Sequence, residues 1–369
     1  MSFVLESSGL DALIRLLSAD GYTVYGPSVH DGSIRYRRIE STSDLPVGVR
    51  DHQAPGSYEL TDRGDDAIFG FVLGASSLKD LFFPPRRPVW TASRSNGSLT
   101  FTPANIPDVW IAVIGARSCE LAALDVHDSV LLGGDYTDPD YAARRNEAFI
   151  VTVDCTEPGE MCFCASMDTG PAAGSGYDLG LIEMKAGDDW RYMGRVGSER
   201  GRRVVDELPH RMADQIELQE SRAAVSVAAA AMGRHLDMDG VPSFLAENRE
   251  HPGWAEIAER CLACGNCTQA CPTCFCVSTL DTQTLDGSIA TRETRWDSCF
   301  SLDFSFMGGR PVRSSIGGRY RQWLTHKLSS WFDQFGTSGC VGCGRCITWC
   351  PVGIDLTVEI PRMREAADA

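Results

Sequence analysis

Cys261-Leu-Ala-Cys-Gly-Asn-Cys-Thr-Gln-Ala-Cys-Pro272 and Cys340-Val-Gly-Cys-Gly-Arg-Cys-Ile-Thr-Trp-Cys-Pro351 are two copies of one cysteine pattern. In each copy two residues separate successive members of the first three cysteines, three residues precede the fourth, and proline follows it. Three thiolates at this spacing surround one iron–sulfur cube, while the fourth is carried away on a short helical turn that proline ends. The sequence therefore predicts two [4Fe-4S] clusters in its C-terminal part.

The fourth cysteine of each run is expected to serve the other cluster, as in bacterial two-cluster ferredoxins. One predicted ligand set is therefore Cys261, Cys264, Cys267 and Cys350, and the other is Cys340, Cys343, Cys346 and Cys271. A zinc-stabilised scaffold is an alternative, because zinc ribbons also use the Cys-x2-Cys spacing. Zinc binding does not account for the third and fourth cysteines of each run.

The composition is that of a globular protein that binds metal through reduced cysteines. The chain has 369 residues, of which 43% are hydrophobic, and this is enough for at least two cores. Its formal net charge of −16 disfavours nucleic acid as a partner, and no apolar stretch is long enough to span a membrane. No secretion signal is recognisable, so we expect a cytoplasmic location in which the fifteen cysteines stay reduced.

The order of local patterns predicts an α+β chain in three parts. Residues 1–208 are predicted to form a mixed α/β domain, with Leu10, Leu13, Ile14 and Leu17 at helical spacing and short β-type runs at 22–25, 68–73, 109–114 and 149–153. Residues 209–260 are predicted to form a helical connector. Residues 261–369 are predicted to form a ferredoxin-like dicluster domain. Between Cys271 and Cys340 this domain carries a long insertion of 68 residues (272–339).

Four further cysteines lie in the N-terminal part, close to the predicted ends of two strands. Cys119 follows the buried run 109–114 at the start of a predicted helix, Cys155 follows the run 149–153, and Cys162 and Cys164 lie just beyond. If the two strands are neighbours, these thiols meet at the sheet edge where α/β proteins place their ligands. Four thiols are enough to bind a third [4Fe-4S] cluster. The alternative is that these cysteines are small buried residues that only pack in the core.

Three cysteines remain, Cys274, Cys276 and Cys299, all in the long insertion or next to it. A fourth cluster on these thiols needs one more ligand, for which Asp297, His326 or a displaced cysteine are candidates; packing or support of a neighbouring cluster is the alternative. The same insertion holds a basic run that would neutralise anionic clusters, dock a partner or form a solvated face: Arg310, Arg313, Arg319, Arg321 and Lys327.

Signatures of substrate chemistry are not recognisable. The sequence has no Gly-x-Gly-x-x-Gly after a predicted strand, no phosphate-binding loop, and no serine-hydrolase or metalloprotease motif. We therefore assign no catalytic residue, and no cofactor-binding residue beyond the cluster ligands.

The motifs as a set resemble the beta subunit of cytosolic NADP-linked nickel–iron hydrogenases, also called sulfhydrogenases. The C-terminal segments that carry this resemblance are Cys261–Cys276, Arg295-Trp-Asp-Ser-Cys299, Arg321-Gln-Trp-Leu-Thr-His-Lys327 and Gly339-Cys-Val-Gly-Cys-Gly-Arg-Cys346. In the N-terminal half they are Leu78-Lys-Asp-Leu-Phe-Phe-Pro84, Gly115-Ala-Arg-Ser-Cys-Glu120, Asp138-Pro-Asp-Tyr141 and Cys162-Phe-Cys-Ala-Ser-Met167. The same pattern occurs in the A subunit of anaerobic sulfite reductases, which remains an alternative.

The resemblance implies an electron relay without substrate chemistry of its own. Its implied partners are a flavin-containing subunit that handles NAD(P)H and the small and large hydrogenase subunits that carry the hydrogen-activating metals. A self-contained flavin and iron–sulfur reductase is the second reading, because a flavin pocket need not leave a motif. Bound flavin distinguishes that reductase from the relay.

Overall fold

The computed structural model describes residues 1–95, 97–106, 108–187 and 189–368, and it confirms a mixture of helices and sheets. The strands are β1 (Ser2–Glu6), β2 (Thr23–His30), β3 (Ser33–Arg38), β4 (Val49–Ala54), β5 (Ser57–Asp62), β6 (Arg86–Ser95), β7 (Ser98–Pro103), β8 (Ile111–Ala116), β9 (Phe149–Val153), β10 (Leu179–Ala186), β11 (Asp189–Val196), β12 (Arg211–Met212), β13 (Val277–Gln283), β14 (Ile289–Trp296), β15 (Phe306–Met307) and β16 (Arg310–Pro311). The helices are α1 (Ser7–Ala19), α2 (Lys79–Phe82), α3 (Ser118–Leu131), α4 (Pro139–Asn146), α5 (Glu199–Glu207), α6 (Gln215–Ala230), α7 (Val241–Glu247), α8 (Gly253–Arg260), α9 (Asn266–Gln269), α10 (Ile316–Thr325), α11 (Trp331–Phe335), α12 (Arg345–Thr348) and α13 (Leu356–Asp368).

An eight-stranded sheet organises the N-terminal half, in the order β12-β1-β11-β10-β9-β8-β2-β3. Its four middle strands, β10, β9, β8 and β2, run parallel, and the flanking strands pair antiparallel. Every residue of β8 and β9 is buried, as expected for parallel strands that are covered on both faces. Leu10, Leu13, Ile14 and Leu17 of α1 pack into the core of this sheet, as their helical spacing predicts.

A second sheet joins the two halves of the chain. Its order is β13-β14-β6-β7, so that β14 from the long insertion pairs antiparallel with β6 from the N-terminal half. The main sheet also extends beyond residue 208, because β12 pairs with β1. Elements from different predicted domains thus share sheets. The boundaries at residues 208/209 and 260/261 therefore stay a prediction about which segments of the chain fold as units.

A second hydrophobic core lies under the cysteine motifs in the C-terminal half. It is built by Trp254 of α8, Tyr320 and Trp323 of α10, Leu328 and Ile347. Several motif cysteines pack against this core, which fixes the loops that carry them. A π-helical turn, His326–Ser330, separates α10 from α11 and contributes to the same core.

One predicted strand is wrong. The apolar run 68–73 forms no strand, because side chains from distant residues take the place of a neighbouring strand. The Glu183 carboxylate accepts hydrogen bonds from the amides of Ile68 and Phe69, each at 2.8 Å, and Asp51 accepts one from the amide of Val72 at 2.6 Å. Backbone groups satisfied in this way do not need a β ladder.

Candidate iron–sulfur centres

The first cysteine run and the last cysteine of the second run lie around one cavity. This cavity encloses about 460 Å³ of empty space, part of it open to solvent. Its thiols are those of Cys261, Cys264, Cys267, Cys346 and Cys350, and its apolar wall includes Phe300, Tyr320, Trp323, Ile354 and Leu356. Cys350 therefore lies beside Cys261, Cys264 and Cys267. These are the three cysteines with which the crossed arrangement predicts that it shares a cluster.

Backbone amides point at several of these sulfurs. The amide of Ala263 lies 3.4 Å from Cys261 Sγ, and that of Ile354 lies 3.3 Å from Cys350 Sγ. In the second run the amide of Gly342 lies 3.5 Å from Cys340 Sγ. Hydrogen bonds to ligand sulfur stabilise the more negative form of a cluster, so these amides suit the site for an anionic iron–sulfur cube.

Cys271 is held against the second cysteine run through Thr273. The Thr273 hydroxyl lies 3.1 Å from Cys271 Sγ and donates a 2.8 Å hydrogen bond to the carbonyl of Gly339, next to Cys340. The ammonium of Lys327, only 5% exposed, lies 3.1 Å from Cys271 Sγ and 2.7 Å from the same hydroxyl. A buried cation in contact with sulfur compensates the negative charge that a thiolate ligand would bring.

The four N-terminal cysteines meet at one cavity, at the carboxyl ends of β8 and β9. These strands are parallel neighbours, as the prediction required. Cys119 lies in the first turn of α3 after β8, Cys155 follows β9, and the adjoining loop brings in Cys162 and Cys164. All four thiols line a cavity with about 430 Å³ of empty space.

Residues of the second cysteine run close this N-terminal cavity. Cys343 and Arg345 are part of its lining, and the amide of Phe163 donates a 2.8 Å hydrogen bond to the carbonyl of Gly342. Gly342 has a φ of +63°, and a Cβ atom there would come within 2.6 Å of the Phe163 carbonyl oxygen. Glycine is therefore required where the two loops touch.

Burial disfavours the thiolate form of the N-terminal cysteines. Burial raises the pKa of Cys119 well above its ordinary value, partly opposed by Arg345, and burial raises the pKa of Cys162 to about 12. Burial likewise raises the pKa of Cys155 and Cys164. Binding of a metal at these thiols would therefore release protons and depend on pH.

Cys274, Cys276 and Cys299 also share a cavity, together with His326 and Lys327. Asp297, another candidate ligand, does not line it. Of the basic run, Arg319 and Lys327 are buried while Arg310 is exposed, so a solvated face does not describe the whole run.

Two charged groups at these centres were not predicted. Arg345 and Glu120 form a buried ion pair, with Nη2 and Oε1 2.5 Å apart and both side chains at most 3% exposed. Glu120 also accepts a 2.6 Å hydrogen bond from the amide of Leu78. In the sequence, both residues lie next to cysteines, in Ser-Cys-Glu120 and Cys-Gly-Arg345. The sequence does not indicate, however, which residue pairs with either charge.

The described residues include no helix that is long and apolar enough to cross a membrane. Within the same residues, no three His, Cys, Asp or Glu side chains lie close enough to hold one metal ion. A cube spreads its ligands farther apart than a single ion does, because each thiolate binds a different iron.

Comparison with known proteins agrees with this geometry. Residues 260–354 match the family described as the 4Fe-4S dicluster domain. Over 346 residues, which cover 93% of this chain and 92% of the relative, the sequence is 30% identical to sulfhydrogenase 2 subunit beta of Pyrococcus furiosus. No solved structure matches the chain. With its cysteine runs, dicluster fold and full-length relative, the chain belongs to the family of iron–sulfur beta subunits of sulfhydrogenases.

Proposed function

We propose that this chain relays electrons between a flavin-containing NAD(P)H subunit and the small and large subunits of a nickel–iron hydrogenase. The observation that carries the proposal is that neighbouring sites share cysteines of the second run. Cys343 lines the N-terminal cavity, and Cys346 lines the cavity of the first run. The three sites thus adjoin one another in the order N-terminal site, second run, first run.

We assign the ligand sets of the relay by the crossed ferredoxin pattern, which the same contacts support. Cys261, Cys264, Cys267 and Cys350 would hold one cluster, Cys340, Cys343, Cys346 and Cys271 the second, and Cys119, Cys155, Cys162 and Cys164 the third. A bound iron–sulfur cube supplies one-electron transfer. We expect about twelve irons from these sites at four per cube.

The protein's own contribution is to hold, insulate and charge-balance these sites. The wall of the first cavity contains Phe300, Tyr320 and Trp323, which place apolar surface beside the sulfurs. Lys327 and Arg345 bring positive charge beside the second run and the N-terminal site. In a low-dielectric interior, such charges favour gain of an electron by a nearby centre.

The family supports the presence of partner subunits, since a beta subunit works beside other subunits. The reducing cytoplasm fits the large number of cysteine ligands, which there stay free of disulfides. This location and the identity of the partners belong to the proposal.

The test uses the whole complex and a Cys261→Ser chain, in which the first site loses a ligand. We expect hydrogen-dependent reduction of NADP⁺ to fall at least about tenfold, equivalent to about 1.4 kcal/mol in the activation barrier. Hydrogen-dependent reduction of a viologen dye that takes electrons from the catalytic subunit should be retained. Ser226→Ala, on the exposed face of α6, is the control and should change neither rate.

If Cys261→Ser loses the cluster but reduces NADP⁺ at an unchanged rate, electrons do not pass through the first site. Turnover of NAD(P)H by the isolated, flavin-free chain would instead favour a self-contained reductase. Stoichiometric zinc in place of iron would favour a structural scaffold, and sulfite-dependent oxidation of NAD(P)H by the complex would favour a sulfite reductase.

A further inference from the structure

Three cysteines outside the proposed relay are brought together at the base of a hairpin. Cys276 comes directly before β13, and Cys299 follows β14 by three residues. Because Val277 pairs with Trp296 in the register of this hairpin, its two ends meet. The amide of Asp297 donates a 2.8 Å hydrogen bond to the carbonyl of Cys276, and Cys274 lines the same cavity as Cys276 and Cys299.

The cavity that these thiols line is larger than either cavity of the relay. It encloses about 910 Å³ of empty space, part of it open to solvent. Cys274, Cys276 and Cys299 line it together with Arg313, His326 and Lys327, and all six residues belong to the insertion. Two thiols that only form a disulfide need no such space, whereas a metal cluster does.

A π-helical turn supplies two consecutive residues of this cavity. His326 and Lys327, the first two residues of the turn, both line the cavity. Such turns are frequent at functional sites. The turn thus presents one imidazole and one ammonium to three thiols.

Of the candidates for a fourth ligand, the structure favours His326. The Asp297 carboxylate is engaged elsewhere: Oδ1 accepts hydrogen bonds from the amide of Ser298 and the hydroxyl of Ser301, both at 2.7 Å, and Oδ2 accepts one from Ser278. Imidazole is an established replacement for thiolate on the iron of a cluster.

We infer that this cavity is a fourth iron–sulfur site, with Cys274, Cys276, Cys299 and His326 as ligands. Lys327 and Arg313 offset the negative charge of three thiolates and the sulfide ions. The buried Nε–H of Arg313 has no acceptor among the described residues, and cluster sulfide would supply one. Since Lys327 lines the cavity and its ammonium lies 3.1 Å from Cys271 Sγ, the site adjoins the second ferredoxin run and extends the relay towards the sheet that contains β13 and β14. The inference adds to the proposed relay, and its test counts this site separately.

The test begins with the full chain purified without oxygen, for which we expect about sixteen irons at four per cube. Cys299→Ser should remove about four irons and one electron paramagnetic resonance signal of the reduced protein. Cys119→Ala should remove a different signal. In the parent chain, labelling of histidine with ¹⁵N should replace a ¹⁴N hyperfine coupling by a ¹⁵N coupling in one cluster signal, and this measurement requires no variant to fold.

His326→Cys should keep the iron content and abolish the nitrogen coupling, while His235→Ala, at an exposed histidine, should change neither. About twelve irons in the parent chain, with no change in Cys299→Ser, would overturn the fourth site and leave the proposed relay intact. Detection of a Cys276–Cys299 disulfide by mass spectrometry would also overturn it. An iron content near eight would contradict the N-terminal site of the proposed function as well.

Discussion

At the scale of single residues, the charges beside the cysteines are the groups whose effects are most directly measurable. The Lys327 ammonium lies 3.1 Å from Cys271 Sγ and is shielded from solvent. In Lys327→Met this charge is lost, so the cluster bound by Cys271 should become harder to reduce. We expect its potential to fall by about 60 mV or more, where 59 mV is a tenfold change for one electron.

A redox titration followed by electron paramagnetic resonance measures this shift. Lys185→Met removes an exposed lysine that lies over Trp190 and should leave the potential within error. If both variants have the parent potential, Lys327 is only a structural residue.

The buried ion pair between Arg345 and Glu120 should matter for stability. Glu120→Gln leaves the Arg345 charge buried without its counter-ion, for which a loss of about 3–5 kcal/mol is typical. The matched control is Glu256→Gln, which breaks the exposed pair with Arg362 and should cost less than about 1 kcal/mol. Anaerobic chemical unfolding of both variants gives the comparison, and equal midpoints would contradict the assigned role.

At the scale of elements, the strand β8 followed by α3 was predictable and the run 68–73 was not. An unbroken apolar run that turns into a helix at Ser118 is a local pattern, and β9 occupies the predicted residues 149–153. The run 68–73 has the composition of a strand, but Glu183 and Asp51 satisfy its amides from positions far along the chain. Such contacts leave no periodic signal.

The placement of Cys119 at the start of α3 leads to a prediction at this scale. Cys119→Ala should lose the N-terminal cluster, about four irons, and leave the two ferredoxin-type clusters in place. The N-terminal half should also become less stable, because a cube crosslinks the loops that bind it. Iron analysis and optical spectra test this, with Ser129→Ala near the end of α3 as control. Full iron content in Cys119→Ala would show that this thiol is not a cluster ligand and has only a structural role.

At the scale of the whole molecule, the halves predicted as separate domains share a sheet and a cavity wall. β14 pairs with β6, and Cys343 and Arg345 line the N-terminal cavity. The cysteine runs predicted the fold of the C-terminal part, because ligand spacing is a local property. The docking of one half on the other was not predictable, since it depends on matched surfaces rather than on spacing.

This docking predicts that residues 1–260 alone retain little iron, although all four N-terminal cysteines are present. The fragment lacks the loop around Gly342 that closes the site. Coexpression with residues 261–369 should restore iron binding to both pieces, as iron analysis after joint purification would show. An isolated fragment with about four irons would mean that the N-terminal site is independent.

The closure of the N-terminal cavity by Cys343 and Arg345 also constrains the order in which the protein matures. A ribosome makes the thiols at residues 119–164 long before the loop that covers them. During that interval these thiols are open to oxidation and to mispairing with the other cysteines. We therefore expect cluster loading at the proposed N-terminal site to follow completion of the chain, and we expect oxygen exposure during synthesis to damage this site before the others.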